Sequence, residues 1–167
     1  MPSKKTGRKN SQPTVSRPHM PGYGIPESKK GLLPWSWAKQ RLEKSHNYLV
    51  STVTPEGAPH TMVVWGLWLN GAFYFSTGAR SRKGRNLAHD PRCTVATDNV
   101  AEAVIVEGEA VPMSDSKIRR VFAQKYQRKY KFDMSGFKEP VYAVRPRVAF
   151  GLWEKKFQNS ATRWTFS

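Results

Sequence analysis

Three consecutive residues, Ser81, Arg82 and Lys83, set a helix-capping hydroxyl against two cations, and just upstream the chain reads Ser76-Thr77-Gly78. A serine at the N-cap leaves the first backbone N–H groups of a helix pointing outward, and the helix dipole adds partial positive charge there. Two cations on that first turn make a site suited to a phosphate. A second reading of Arg80, Arg82, Lys83 and Arg85 stays open on pattern alone, because a charge run is often only a solvated basic face. Nucleophilic and metal chemistry have no comparable candidates. His19, His46, His60 and His89 lack metal-ligand spacing and have no nucleophile motif beside them, and neither a Walker loop nor a dinucleotide fingerprint occurs. Glu107 and Glu109 share a strand face across Gly108 and read as solvent-facing acids, with the glycine marking a bulge or a close backbone approach. No catalytic side chain is assigned, so redox chemistry in this chain would come from a bound cofactor.

The elements that position Ser81–Lys83 are signalled by turns. Pro55-Glu56-Gly57 and Asn70-Gly71 divide Tyr48–Ser76 into three strands, Tyr48–Thr54, His60–Leu69 and Ala72–Ser76, and Asn-Gly supplies the positive φ of a two-residue hairpin. In the second strand both alternating sets are apolar, Met62, Val64, Gly66 and Trp68 against Val63, Trp65, Leu67 and Leu69, which predicts burial on both faces. Trp65 and Trp68 fall on opposite faces of it. A short helix over Trp35–Ser45 precedes these strands and a helix over Arg82–His89 follows them. Further strands are expected at Arg92–Thr97 and Ala103–Met113, then a helix capped by Ser114 and running to about Tyr130. Along that helix Ile118, Val121, Phe122, Tyr126 and Tyr130 form an aromatic and aliphatic stripe that reads as core. Val141–Val144 and Val148–Glu154 give one or two strands, and Thr162–Phe166 a last short one. The absence of βαβ alternation argues against a doubly wound parallel sheet; a small barrel, covered outside by helices or a second subunit, is the economical arrangement.

The chain has 167 residues, 38% of them hydrophobic, a formal net charge of +16 and one cysteine. That length suits one domain with a tail. The single Cys93 allows no internal disulfide and reads as a small buried hydrophobe, and no apolar run reaches membrane-spanning length; a soluble, cytoplasmic protein is expected. Residues 1–30 carry seven bases against the single acid Glu27, hence +6, while the other 21 bases and 11 acids leave +10. Rich in Pro, Gly, Ser and Lys, residues 1–31 are expected to be a disordered basic tail, and 32–167 the folded domain. The basic body fits anionic cofactors and substrates, or nucleic acid.

The series Pro55 to His60, Val64-Trp65-Gly66, Phe73-Tyr74-Phe75-Ser76-Thr77, Ser81-Arg82-Lys83-x-Arg85-Asn86-Leu87 and Asp90-Pro91, with the later Val106-Glu107-Gly108-Glu109-Ala110, resembles the pyridoxamine-phosphate-oxidase-like split β-barrel family, in its flavin/deazaflavin oxidoreductase branch. The resemblance covers roughly Trp35 to Tyr130. It implies a mainly β fold with peripheral helices, a six-stranded antiparallel split barrel working as a homodimer, with FMN or the deazaflavin F420 bound at the dimer interface. By the same likeness Ser76, Thr77, Gly78, Arg82 and Lys83 would hold the cofactor phosphate, Val63, Val64, Trp65 and Gly66 would line its ring, and Arg163 and Trp164 would contribute from near the C-terminus. The vitamin-phosphate oxidases proper end in a Trp-x-x-Arg-Leu-His-Asp-Arg type of segment. This chain has only Thr162-Arg163-Trp164-Thr165-Phe166, which argues against vitamin B6 oxidation. F420 is the first choice of cofactor because its polyglutamate is the more anionic partner for a basic body, with FMN as the alternative. The expected chemistry is hydride transfer to or from a small unsaturated or quinone-like molecule. A cofactor carrier without turnover and a basic nucleic-acid-associated protein are the rival readings.

Overall fold

The computed structural model describes residues 12–167. Nine strands form one antiparallel sheet system: β1 (Thr14–Ser16), β2 (Tyr48–Val53), β3 (Pro59–Val64), β4 (Gly66–Leu69), β5 (Ala72–Ser76), β6 (Arg92–Thr97), β7 (Glu102–Pro112), β8 (Val141–Trp153) and β9 (Thr162–Thr165). Helices α1 (Trp35–Lys44), α2 (Arg82–His89), α3 (Ser116–Tyr130) and the short α4 (Phe157–Ser160) are placed around it. The pairing path runs β1-β9-β8-β7-β6-β2-β3, with β4–β5 joined through β5 to the first half of β8. The expected six strands are therefore nine, and β1 and β3 end the path without pairing to each other. No helix among the described residues is long and apolar enough to cross a membrane.

Local signals placed most elements. Asn70 and Gly71 both take positive φ, 50° and 79°, and close the β4–β5 hairpin, while Gly57 does the same for the β2–β3 turn at 86°. At Gly108 the β7–β8 register shifts: Glu107 faces Val148, Gly108 faces Pro146, and a Cβ on Gly108 would run into the Arg145 carbonyl. The glycine thus marks both a bulge and a close approach, and β8 continues through Pro146 as one strand. The cap of α3 is Asp115, whose carboxylate accepts from the amides of Lys117 and Ile118, in place of the expected Ser114.

Cross-strand register divides the main sheet into two rows. One row, Val50, Val95, Val106, Ala149 and Trp164, is fully buried. One residue along, Val63, Leu49, Ala96, Ile105, Phe150 and Arg163 pair in sequence across six strands on the opposite face and stay partly or wholly exposed. A second apolar cluster lies where α3 packs Phe122 and Tyr130 against Leu67, Tyr74 and Val141 of β4, β5 and β8. Cys93 is buried in the main core, where desolvation pushes its thiol up to about 12.

Two expectations are corrected here. The span His60–Leu69 is two strands broken at Trp65, and only the second is buried: Met62, Val63 and Trp65 are 47%, 58% and 40% exposed. As the end of the pairing path, β3 has a neighbour on one side only, so Met62 and Val63 are left uncovered, while Val64 at its end is buried in the main core. In the expected disordered tail, Thr14–Ser16 instead pairs with β9, and the Arg17 guanidinium donates to the carbonyls of Ser28, Lys30, Asn159 and Ala161, tying this segment to the C-terminal strand. Residues 1–11 of that tail lie outside the described residues.

Candidate functional site

The start of α2 is built as its sequence implies. Ser81 caps it in an extended conformation, its Oγ accepting from the Gly84 amide at 3.0 Å and lying 3.0 Å from Thr77 Oγ1. The amides of Arg82 and Lys83 precede that of Arg85, the first to find an intrahelical acceptor, and point out of the helix end. Gly84 is required, since a Cβ there would run into the Gly78 carbonyl. The helix is pinned to the sheet by Asn86, whose Nδ2 donates to Thr52 Oγ1 at 2.9 Å in a buried position. Thr52 pairs with His60 across β2–β3, which brings the imidazole beside the α2 cations.

Electrostatics mark this end of the sheet. Partial burial lowers the Lys83 ammonium, and neither Arg82 nor Lys83 forms an ion pair among the described residues. His60 is held below its ordinary value by desolvation and by the charges of Arg82 and Lys83. Glu56 at the β2–β3 turn is lowered by hydrogen bonds from its own backbone and from Thr54, with Arg82 adding to the effect. A second acid, Glu139, accepts from the Ala79 amide at 3.2 Å and flanks Gly78. An anion at α2 therefore has the Arg82 and Lys83 amides and side chains available, and the Ala79 amide is taken.

The other expected residues divide. Ser76 ends β5 and donates its hydroxyl to the Pro140 carbonyl at 2.6 Å, leaving its oxygen lone pairs as acceptors. Gly66 pairs with Phe75, so Val64 and Trp65 leave β4 at the same end of the hairpin as Ser76 and Thr77. The Trp65 ring stacks on Tyr130, centroids 4.7 Å apart and 6° from parallel, and stays partly exposed. Gly66 is held by packing: its N–H donates to the Tyr130 hydroxyl at 3.0 Å, its carbonyl lies 2.8 Å from that hydroxyl and accepts from Lys129 Nζ at 3.2 Å, and a Cβ would run into the Phe73 ring.

Trp164 is a correction. It is wholly buried against Gly151 and Trp35, because β9 register puts it in the inner row; it lines no site. Arg163 occupies the outer row instead, with four strands between it and Val63, beside His19, Ile105 and Phe150. One chain does not bring Arg163 to α2. Residues missing from the expected site are His60, Glu56, Asn86 and Glu139. His60 was the findable one, since it lies three residues past Gly57 and so faces Thr52 across the hairpin.

Comparison with known proteins follows the same outline. Residues 37–157 match the family model described as pyridoxamine 5'-phosphate oxidase. A pyridoxine/pyridoxamine 5'-phosphate oxidase of Thermobifida fusca is 34% identical over 116 residues, covering 61% of this chain and 52% of that protein. The chain spans about half the length of the curated relatives it matches. Among solved structures, a heme binding protein of Mycobacterium smegmatis aligns with a TM-score of 0.59 at 21% identity over 72% of this chain and 55% of its own. An F420 reductase aligns with a TM-score of 0.55 at 21% identity over 66% of this chain and 94% of its own. These two likenesses are of fold.

Proposed function

The chain belongs to the pyridoxamine 5'-phosphate oxidase family, and from that premise we propose that it is an oxidoreductase that holds F420, or alternatively FMN, by its phosphate at the start of α2. The supporting observation is Lys83: a partly buried cation on the first turn of a capped helix, with no carboxylate partner for it and no acceptor for the leading amides among the described residues. Such a cation carries an uncompensated desolvation cost that a phosphate oxygen offsets. Arg82 adds a second charge, and Thr77 supplies a hydroxyl at the strand end, whereas the Ser76 proton is taken by the Pro140 carbonyl. Hydride exchange with a small unsaturated or quinone-like molecule is the chemistry the cofactor supplies when bound. The chain's own contribution is orientation: Trp65 offers an exposed apolar wall at the end of the hairpin that carries Ser76 and Thr77, while Val64 is buried in the main core behind it.

The active unit in this reading is a homodimer. Val63 and Arg163 lie at opposite ends of one outer row, so a second copy laid across that row would bring an Arg163 toward a Val63–Trp65 segment and cover the exposed Val63 of β3. Titration of tryptophan fluorescence with F420 and separately with FMN tests the cofactor. Binding of one is expected, weakened in Lys83→Ala by about 1.5–3 kcal/mol, roughly ten- to 150-fold. Failure to bind either, or an unchanged affinity in Lys83→Ala, would remove this role from α2.

A further inference from the structure

Helix α3 has a composition that its packing does not require. Its fifteen residues include six bases, Lys117, Arg119, Arg120, Lys125, Arg128 and Lys129, and no acid. Two of the six are used by the fold. Arg119 donates to the carbonyls of Phe137 and Glu139, and Lys129 to those of Ser45 and Gly66 and to the Tyr48 hydroxyl. The others, with Lys131 at the C-cap, are exposed and form no ion pair among the described residues. Lys117, Arg120, Gln124, Arg128 and Lys131 follow one another at three- and four-residue steps, which places them on one face over about 21 Å of helix.

The same helix borders a groove of about 840 Å³ between α1, the β4–β5 hairpin and the chain's first described residues, Gln12 and Pro13. Lys39, Lys125, Arg128 and Lys129 line it against one acid, Glu43, which is paired with Lys39. Arg128 also lines the neighbouring groove with Gln124, Gln127, Lys131 and one acid, Asp133, so the two depressions share the Arg128 edge. In sequence alone, residues 1–11 carry Lys4, Lys5, Arg8 and Lys9 and no acid. Trp35 and Phe166 give this groove aromatic walls.

We propose that the outer face of α3 and this groove bind the sugar-phosphate backbone of a single-stranded nucleic acid. Exposed cations in a row beside a concave, aromatic-walled groove match a strand's repeating phosphates. An anionic membrane surface fits less well, because Val121 is the one large apolar residue this helix exposes, too little to insert. The surface is separate from the α2 site and independent of the reading given there.

The test uses the full chain and a fluorescein-labelled 20-nucleotide single strand of mixed sequence, followed by anisotropy over a salt series. Binding is expected to weaken steeply with salt. In Lys125→Gln/Arg128→Gln it should fall about tenfold or more at low salt, with the log–log salt slope reduced by about 1.4, two phosphate contacts' worth on a single strand. Lys30→Gln/Lys155→Gln, which removes two exposed charges elsewhere, should leave the slope within experimental error, and Lys83→Ala should bind as the parent does. No binding at low salt, or equal loss in the two double variants, overturns the proposal. So does capture by phosphatidylserine vesicles that is lost in Lys125→Gln/Arg128→Gln while the oligonucleotide is not bound.

Discussion

Tyr130→Phe isolates one hydroxyl on which the geometry of the Val64–Trp65–Gly66 segment depends. The hydroxyl accepts from the buried Gly66 amide at 3.0 Å and lies 2.8 Å from both the Gly66 and His46 carbonyls, either of which takes its proton. Phenylalanine keeps the ring and therefore the stacking on Trp65. The Gly66 carbonyl keeps Lys129 as a donor, so the main loss is the orphaned Gly66 N–H, which costs about 1–3 kcal/mol when buried. A loss of about 2 kcal/mol is expected, a drop of roughly 4–8 °C in Tm for a domain of this size. Urea unfolding followed by tryptophan fluorescence measures it, with the m-value unchanged. Tyr126→Phe is the internal control: its half-buried ring packs on Tyr130 and Phe122, its hydroxyl makes no hydrogen bond among those described, and it should move stability by less than about 0.5 kcal/mol. Equal effects of the two substitutions would refute the idea that the hydroxyl, rather than the aromatic packing, anchors Gly66.

Ser81→Ala removes the N-cap of α2 and should cost about 1 kcal/mol while weakening cofactor binding, because the first turn that presents Arg82 and Lys83 loses its fixed end; a calorimetric melt and the same fluorescence titration read both. Gly108→Val should cost more than about 2 kcal/mol in thermal unfolding, since its side chain meets the Arg145 backbone where β7 and β8 approach. Desolvation pushes Tyr130 up to about 12, so the folded state favours the neutral phenol. Its contribution is complete below pH 10 and is lost as pH rises through 12; urea midpoints measured across that window should fall less in Tyr130→Phe than in the parent. Lys129 has the opposite sign: burial lowers it to about 8, so the unfolded chain binds the extra proton between pH 8 and 10.5, stability rises there, and Lys129→Met should flatten that rise.

Elements whose cause is local were legible in the sequence. Asn70-Gly71 specifies a hairpin by backbone preference alone, the Ser81 hydroxyl accepts from an amide three residues away, and Gly108 signals its own lack of a side chain. What was not legible depends on partners distant in the chain. Both alternating sets of 60–69 are apolar, so periodicity could not show that the strand breaks at Trp65; the break follows from Gly66 being clamped by Tyr130 and Lys129, more than sixty residues later. The segment 12–31 has the composition of a tail, and its order rests on edge pairing with β9 and on Arg17, whose acceptors are backbone carbonyls that composition does not reveal.

The candidate site divides by the same rule. Ser81, Arg82 and Lys83 were identifiable because one helix turn contains them. Arg163 and Trp164 are adjacent in sequence and were grouped together, yet a strand sends neighbours to opposite faces, and register across β8, β7, β6 and β2 decides which is which. Trp164 falls in line with Val106, Val95 and Val50 and is core; Arg163 falls in line with Phe150, Ile105, Ala96, Leu49 and Val63. The inner row is closed by its own side chains, whereas the outer row is apolar in five of these six positions and ends in a cation on β9 and an uncovered valine on β3. A stripe of that kind on a soluble monomer would expose apolar surface without return. Under the proposed dimer the same stripe is what a second copy covers, and the separation of Arg163 from α2 within one chain becomes the reason the cofactor site would need two.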